Sequence, residues 1–427
     1  MTIAIKVENA LTSTLAALPQ PNRNDSRAIG GRLLGIRRRF LLGSLFVGAI
    51  ASVPPTLAQA PAPSQEKTMT ADREAARARL QAAFTPPTEF ANQFGSYPSP
   101  LRFYNGEPVK TPADWPRRRE EILKKWHALM GPWPALLKAP KLKIVAQTTR
   151  DNFTQYEVKV ELARDKLETG YLLVPQGKGP FPAVVVPYYE PLTSIGLKVE
   201  LRDFALQLAR RGFVALAIGS PGGDALKREA DWPKIQTLSF LAYIAANCHT
   251  ILANHPAVDA KRIGIVGHSY GGKWAMFGSC LYDKFACGVW SDGGVVFDEK
   301  RGSINYWEPW YLGWDPRHPD RKKRGLITAD NPAFGPYLEI RKHGHDLTEL
   351  HALMAPRPFL VSGGSEDYPG RWVALNHAIR LNKFLGYSER VAMTNRPAHA
   401  PTPESNEVIY AFLEQVLQPP GRTEERR

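Results

Sequence analysis

From residue 141 onwards, short apolar runs alternate along the chain with longer segments of helical periodicity. The run Phe181–Pro187 is rich in valine, which is typical of a strand buried on both faces. Residues Lys234–Ala253 carry a long helical pattern, and Arg262–Val266 follows as a short apolar strand. This alternation predicts an α/β fold, with a mainly parallel sheet and helices on both faces. The other predicted strands are 141–147, 154–162, 168–174, 213–218, 285–290, 358–362 and 390–394, and the other predicted helices are 201–211, 372–385 and 407–417.

Residues 61–140 form a predicted N-terminal extension that is too small to be an enzyme by itself. A catalytic domain is expected over residues 141–420. The predicted parts of the extension are a linker at 61–70, an Ala-rich helix at 70–81, an extended Pro-rich strap at 85–110 and a second helix at 115–130 that ends at Gly131-Pro132.

The first 60 residues carry the pattern of an export signal. Arg37 and Arg38 precede an apolar run from Phe40 to about Val53, and a small-residue stretch at 58–60 follows. The order R-R-x-F-L-L is typical of the twin-arginine signal, which carries folded proteins across the bacterial inner membrane. The apolar run is too short for a membrane anchor. We therefore expect a periplasmic or secreted protein with no stable membrane insertion after the signal is removed.

Charge and cysteine content narrow the possible partners. The formal net charge is +14, of which residues 1–60 contribute +5. The basic clusters at 117–119 and 321–324 lack the interleaved aromatic residues of a nucleic-acid site, so no nucleic-acid partner is expected. Three cysteines do not make a disulfide framework, and Cys248 and Cys280 lie in apolar helical contexts that predict small buried side chains. No Cys/His spacing indicates a metal site.

The pentapeptide Gly267–Gly271 carries the strongest chemical signal, with Ser269 at its centre. A serine hydroxyl needs a base, an orienting acid and donors for the developing oxyanion before it becomes a useful nucleophile. The G-x-S-x-G pattern holds the serine in a tight strand-to-helix turn. Here a strand pattern precedes the motif and a helix pattern follows it, which predicts Ser269 as a nucleophile.

The partners of such a serine follow it in the order acid, then histidine. Asp367 lies just beyond the predicted strand 358–362 and is the favoured acid, with Glu366 and Asp292 as alternatives. His399 follows the last predicted strand and is the expected base.

Two further features complete the predicted site. The backbone N–H of Tyr270 is expected to be one oxyanion donor, and Tyr188 or Tyr189, at the end of the Phe181–Pro187 strand, the other. A segment at about 296–345 interrupts the alternation of strands and helices and is rich in aromatic residues. It predicts a lid-like insertion that shapes the substrate pocket with Trp307, Trp310 and Trp314, of which Trp307 and Trp310 are expected to bind substrate. A purely structural aromatic cluster is the alternative.

Together these motifs resemble the α/β-hydrolase superfamily over about residues 140–417. The chain is most similar to bacterial acetyl xylan esterases, glucuronoyl esterases and prolyl oligopeptidase-like hydrolases, through Asp259–Gly264 ahead of the serine and Leu350–Pro358 ahead of the acid. The resemblance implies Ser269, Asp367 and His399 as the triad.

Glucuronoyl esterases carry a lysine shortly after the nucleophile that contacts sugar hydroxyls, and Lys273 is placed comparably. The sequence has Tyr270-Gly271-Gly272 where that family usually has an arginine, which weakens the case for uronate specificity.

The leading hypothesis is an exported serine esterase that cleaves carboxylic esters of small molecules or carbohydrates through an acyl-enzyme, without a cofactor. A prolyl oligopeptidase-like peptidase is an alternative, although the N-terminal extension is too short to hold a β-propeller. A non-catalytic binding protein with the same fold is the third possibility, which the presence of all three triad residue types disfavours.

Overall fold

The computed structural model describes residues 63–229, 231–318 and 324–418, and its strands lie in one mixed sheet. The predicted export signal within residues 1–60 lies outside the described residues. The strands are β1 Leu142–Arg150, β2 Phe153–Ala163, β3 Lys166–Pro175, β4 Phe181–Pro187, β5 Val214–Ile218, β6 Val258–His268, β7 Cys287–Ser291, β8 Phe359–Gly363 and β9 Val391–Asn395.

The order of strands in this sheet is β1-β2-β3-β5-β4-β6-β7-β8-β9. The pairs from β5 to β9 are parallel, whereas β1, β2 and β3 form an antiparallel meander that joins β5 in antiparallel sense. The carboxyl ends of β4, β6, β7 and β8 therefore meet at one edge, where open α/β sheets place their ligand sites.

Helices cover both faces of the sheet, because the central strands carry apolar side chains on both faces. Val184 and Val186 on β4 belong to one core cluster, and Ala183 and Val185 belong to the other. The helices are α1 Pro63–Ala82, α2 Trp115–Met130, α3 Pro191–Ser194, α4 Phe204–Arg210, α5 Thr237–Ala253, α6 Tyr270–Leu281, α7 Pro336–Lys342, α8 Thr348–Ala352, α9 Trp372–Phe384 and α10 Pro403–Leu417.

The predicted fold class is confirmed, and element boundaries differ where backbone groups have other partners. Helix α5 begins three residues later than its periodicity predicts. Gln236 is extended, and its N–H donates to the Met130 carbonyl at 2.7 Å. That hydrogen bond ties the segment before α5 to the end of α2, and the extended backbone of Gln236 places this residue outside the helix.

The N-terminal extension is bound to the body of the protein by specific contacts. Helix α1 packs against α10, and the Met393 N–H of β9 donates to the Ala83 carbonyl at 2.9 Å. On α2, Arg118 lies 3.6 Å from the buried carboxylate of Glu349, to which the Trp126 indole also donates at 3.3 Å. The extension therefore contributes side chains to the protein interior.

Candidate active site

Ser269 lies at the turn between β6 and α6, with φ +57° and ψ −115°. The two motif glycines explain how the backbone passes so sharply. A Cβ on Gly267 would lie 2.1 Å from the Gly271 carbonyl oxygen, and one on Gly271 would lie 2.2 Å from the carbonyl oxygen of Pro187. Any side chain at these positions would force the turn open, so the G-x-S-x-G pattern is a steric requirement of this site.

His399 lies beside this serine, in the loop between β9 and α10. Its Nε2 is 2.9 Å from Ser269 Oγ, and its Nδ1 is 2.6 Å from Oδ2 of Asp292. Because a carboxylate only accepts, Nδ1 carries the proton and Nε2 is free to accept from the serine. The buried guanidinium of Arg396 fixes the loop by donating to the carbonyls of His399 at 2.7 Å and Ser362 at 2.8 Å.

The acid beside His399 is Asp292, so the expectation that Asp367 holds the imidazole is wrong in this geometry. Asp367 does lie beyond β8, but its carboxylate accepts from the N–H groups of Gly294 at 2.9 Å and Val295 at 2.7 Å. Glu366, the other alternative, accepts from the Ser303 hydroxyl at 2.8 Å. Strand β7, which ends just before Asp292, lies next to β6, whereas β8 is one strand further from the serine.

The two aspartates have opposite electrostatic environments. Burial alone would raise the pKa of Asp292, but hydrogen bonds from His399 and from the Asp367 N–H outweigh it and hold that pKa below its ordinary value. Burial, reinforced by the charge of Asp292, raises the pKa of Asp367 to about 6. Asp292 is therefore the carboxylate suited to remain ionised beside an imidazolium.

His268 is a neighbour of His399 that sequence reasoning left without a role. The two rings are 4.7 Å apart, and Nδ1 of His268 lies 3.1 Å from the Ser291 hydroxyl. Burial lowers the pKa of His268 well below its usual range, so this ring stays neutral. It supports one side of the His399 ring without adding charge.

The residues expected to form an oxyanion hole lie around the start of α6. Tyr270 is the first residue of that helix, where N–H groups lack helical acceptors. The Tyr188 N–H instead donates to the carbonyl of Ile218, at the end of β5, at 3.1 Å. This N–H is therefore not available to an oxyanion. The phenol of Tyr188 remains protonated because burial raises its pKa to about 12. Tyr189 is 38% exposed and its ring lies 5.0 Å from that of Tyr270.

Lys273 is buried beneath the site rather than presented to solvent. Its ammonium donates to the Gly293 carbonyl at 2.5 Å and lies 4.2 Å from the centroid of the Tyr306 ring. Burial lowers the pKa of Lys273 to about 8. A sugar could reach this ammonium only by displacing the groups that cover it.

Trp307 and Trp310 in the insertion are packed, which contradicts their expected role in contacting substrate. Trp307 is fully buried, its indole donates to the Gly325 carbonyl at 3.0 Å, and its ring lies 5.9 Å from that of Tyr337. Trp310 is also buried. Their rings therefore have no free face for a ligand, and the structural alternative describes them. Trp314 is partly exposed and lies under Arg228.

The described residues also bear on the expectations for cysteines, metal sites and membrane-spanning helices. Cys248, Cys280 and Cys287 are free and buried, as predicted for the first two. No group of three or more metal-ligating side chains comes together in the described parts of the chain. Among those same residues, no helix is long and apolar enough to cross a membrane.

Part of this chain matches a family of esterases. Residues 143–298 match the family model described as esterase FrsA-like, a range that includes Ser269 and Asp292 but ends before His399. Acyl-coenzyme A amino acid N-acyltransferase 2 of Rattus norvegicus is 32% identical over 142 residues, which are 33% of this chain and 31% of that protein. The match thus spans about a third of the relative's length.

Solved structures resemble a larger part of the chain. A glucuronoyl esterase from Solibacter usitatus aligns over 74% of this chain and 97% of its own, with a TM-score of 0.57 and 17% identity. A carbohydrate esterase family 15 glucuronoyl esterase from Teredinibacter turnerae aligns over 80% and 99%, with a TM-score of 0.55 and 19% identity. The chain has the α/β-hydrolase fold. Within this fold, the Ser269 turn and the His399 loop lie at the edge where α/β-hydrolases assemble their sites.

Proposed function

We propose that this α/β-hydrolase is a serine esterase in which Ser269 is the nucleophile, His399 the base and Asp292 the orienting acid. The observation that carries this proposal is the position of the His399 ring, with one nitrogen 2.9 Å from the serine hydroxyl and the other 2.6 Å from a buried carboxylate. These are the contacts that convert a serine hydroxyl into a nucleophile.

The reaction then follows from the groups present. His399 Nε2 removes the Ser269 proton as Oγ attacks the ester carbonyl, and Asp292 stabilises the imidazolium that forms. The same proton passes to the departing alcohol, which leaves an acyl-enzyme. His399 next deprotonates water, whose attack releases the carboxylic acid and restores the serine.

The negative charge on the attacked oxygen needs two donors. We assign one to the Tyr270 N–H at the start of α6. For the second, the Tyr188 N–H is committed to Ile218, which favours the Tyr188 phenol or the Tyr189 N–H. Replacement of Tyr188 by Phe separates these two choices, because the change removes only the phenol.

Esters attached to carbohydrates are the substrate class that the comparisons favour. The similar solved structures are glucuronoyl esterases, and the matched family model is that of an esterase. The half-exposed Tyr189 ring beside Tyr270 offers an aromatic surface on which a sugar can stack. Uronate recognition through Lys273 is not favoured, since its ammonium is covered.

Acyl transfer to an amine is a second candidate activity, favoured by the match to an amino acid N-acyltransferase. Both reactions share an acyl-enzyme, and they differ in whether an amine or water attacks it. Product analysis with and without added glycine distinguishes them, because transfer would yield an N-acylglycine in place of the free acid.

The test of the main proposal is a panel of p-nitrophenyl esters, methyl glucuronate esters, acetylated sugars and peptide amides. Ester turnover is expected, and Ser269→Ala should lower kcat by about 10⁶-fold because the triad acts as a unit. Cleavage of the amides alone would favour the peptidase alternative. A folded Ser269→Ala variant that keeps more than about a tenth of the activity would refute the assignment.

We also propose that the protein is exported by the twin-arginine route and acts in the periplasm or outside the cell. The motif around Arg37 and Arg38, with the apolar run that follows, supports this. Replacing both arginines by lysine should leave an active precursor in the cytoplasm, as fractionation and activity assays would show. Unchanged export of that double variant would contradict the twin-arginine assignment.

A further inference from the structure

Two loops beside His399 hold one another through their aspartates. The acid loop, Asp292–Val295, follows β7, and the facing loop, Gly364–Asp367, follows β8. Oδ1 of Asp292 accepts from the N–H groups of Gly364 at 2.7 Å and Asp367 at 2.8 Å. In return, the carboxylate of Asp367 accepts from Gly294 and Val295 at 2.9 and 2.7 Å. Each loop thus supplies the carboxylate that satisfies the backbone of the other.

The acid loop is also held by two side chains that do not belong to the facing loop. Lys273 donates to the Gly293 carbonyl at 2.5 Å, and the Tyr306 hydroxyl donates to the Gly294 carbonyl at 2.5 Å. The ammonium in turn lies over the Tyr306 ring. Two successive carbonyls and two successive N–H groups of this short loop are therefore fixed by buried side chains.

The backbone of the acid loop needs such support. Asp292 has φ +47°, a conformation that is costly for a residue with a side chain, and it is followed by two glycines. Gly294 also has a positive φ, of +78°. A loop of this composition has many alternative conformations, and few of them direct Oδ2 of Asp292 at His399.

We propose that Asp367, Lys273 and Tyr306 are positioning residues, which act on the reaction by holding the acid loop so that Asp292 faces His399. This inference rests on the proposed function of Ser269, His399 and Asp292. It gives a role to two side chains, Asp367 and Lys273, that the sequence singled out and that contact neither the serine nor the base in the structure.

The deciding variant is Asp367→Asn, because an amide cannot accept both N–H groups as a carboxylate does and brings a donor of its own. We expect kcat to fall about 10²-fold, the cost of a displacement of about 1 Å at a catalytic group, with KM within about twofold. Tyr306→Phe removes only the hydroxyl, which donates to the Gly294 carbonyl and also lies 3.4 Å from that of Gly293. This change should lower kcat by roughly five- to tenfold, again with KM unchanged.

Asp346→Asn is the matched control. Asp346 is also buried, its pKa is likewise raised to about 6 by burial, and it accepts from the N–H of Phe297, two residues beyond the acid loop. This change should lower thermal stability and leave kcat as it is. If Asp346→Asn lowers kcat as much as Asp367→Asn does, the effect is one of general packing and the positioning proposal fails.

Proton NMR of ¹⁵N-histidine-labelled enzyme supplies a readout that does not need turnover. The short His399–Asp292 hydrogen bond should give a far-downfield Nδ1 proton, which Asp292→Asn abolishes and Asp346→Asn retains. Asp367→Asn should weaken or shift this resonance. Its absence from the wild-type spectrum would contradict the His399–Asp292 bond and with it the proposal.

The outcomes separate this inference from the proposed function. Full activity of Ser269→Ala would refute the esterase mechanism, while the resonance would still report on the loops. Should Asp367→Asn fail to fold, Tyr306→Phe decides by the same measurements. Lys273→Met is the converse test, since a raised KM with unchanged kcat would make Lys273 a substrate contact and overturn its positioning role.

Discussion

The backbone of Ser269 has a strained conformation, with a positive φ, at the turn between β6 and α6. A positive φ on a residue with a side chain costs on the order of 1–3 kcal/mol, and here the turn is held by close contacts of Gly267 and Gly271. The Ser269 N–H also donates to the Ser291 carbonyl at 2.8 Å, which ties the turn to the end of β7. The serine and the acid that follows β7 are thus set in register by the same pair of strands.

At this scale the acid assignment can be tested by isosteric changes. Asp292→Asn should lower kcat by about 10⁴-fold, because an amide no longer holds His399 in the tautomer that accepts from Ser269. Glu366→Gln is the control, since Glu366 contacts Ser303 and not the imidazole. Steady-state kinetics on the preferred ester measures both. A greater loss in Glu366→Gln than in Asp292→Asn would place the acid in the facing loop after all.

A residue of the candidate site can be predicted from the sequence when a short stretch of neighbouring residues identifies it. Ser269 is identified by five consecutive residues, and His399 by its position after the last strand of the sheet. The acid depends on which strand lies beside β6, and strand order is set by pairing between distant segments. Asp292 and Asp367 both follow a strand, so the sequence offers both, and the sheet order selects the one after β7.

Among the elements, regular strands and helices were more predictable than the aromatic insertion. The helix Trp115–Met130 and the strand Phe181–Pro187 have the predicted bounds, since their periodicity and their breaking residues agree. Within the insertion, a high density of tryptophan is compatible with an exposed binding wall or with a buried cluster. Contacts with α7, such as that of Trp307 with Tyr337, bury the tryptophan. These two residues are 30 positions apart, so a local sequence pattern does not reveal the contact.

The burial of the insertion predicts how its tryptophans respond to truncation. Trp307→Ala should lower the free energy of unfolding by about 3–5 kcal/mol, because it opens a cavity in a packed core. KM should be unchanged in the folded fraction, and Ser269 should still react with a small phosphonate. Trp314→Ala, at a partly exposed position, is the control and should cost much less. A higher KM for Trp307→Ala without loss of stability would restore the lid interpretation.

For the whole molecule, we expect the buried histidines to lower stability in acid. Burial lowers the pKa of His351 to about 3 and that of His249 to about 4. Each has a folded-state pKa below its unfolded value of about 6.5, so unfolding takes up protons as the pH falls below about 6.5. Asp367 and Asp346 have pKa values raised to about 6, so the folded protein takes up their protons first as the pH falls from about 6 to 4. Their protonation therefore offsets part of the stability that the histidines lose.

His351 permits a direct test of this balance. Its ring is buried, 5.3 Å from that of Trp290 and 6.2 Å from that of Phe359, and neither ring nitrogen has a hydrogen-bond partner within the described residues. The neutral ring is therefore tolerated, whereas a charged one would lack any compensating contact.

Near pH 7.5, His351→Leu should leave the free energy of unfolding close to that of the wild type, because leucine is apolar and similar in size. Below about pH 6.5 the variant should gain on the wild type by up to about 1.4 kcal/mol per pH unit, since its folded state no longer excludes a proton that the unfolded chain binds. Urea unfolding at pH 7.5, 6.0 and 5.0 measures this difference. Parallel loss of stability in both proteins across that range would show that His351 does not contribute to the acid sensitivity.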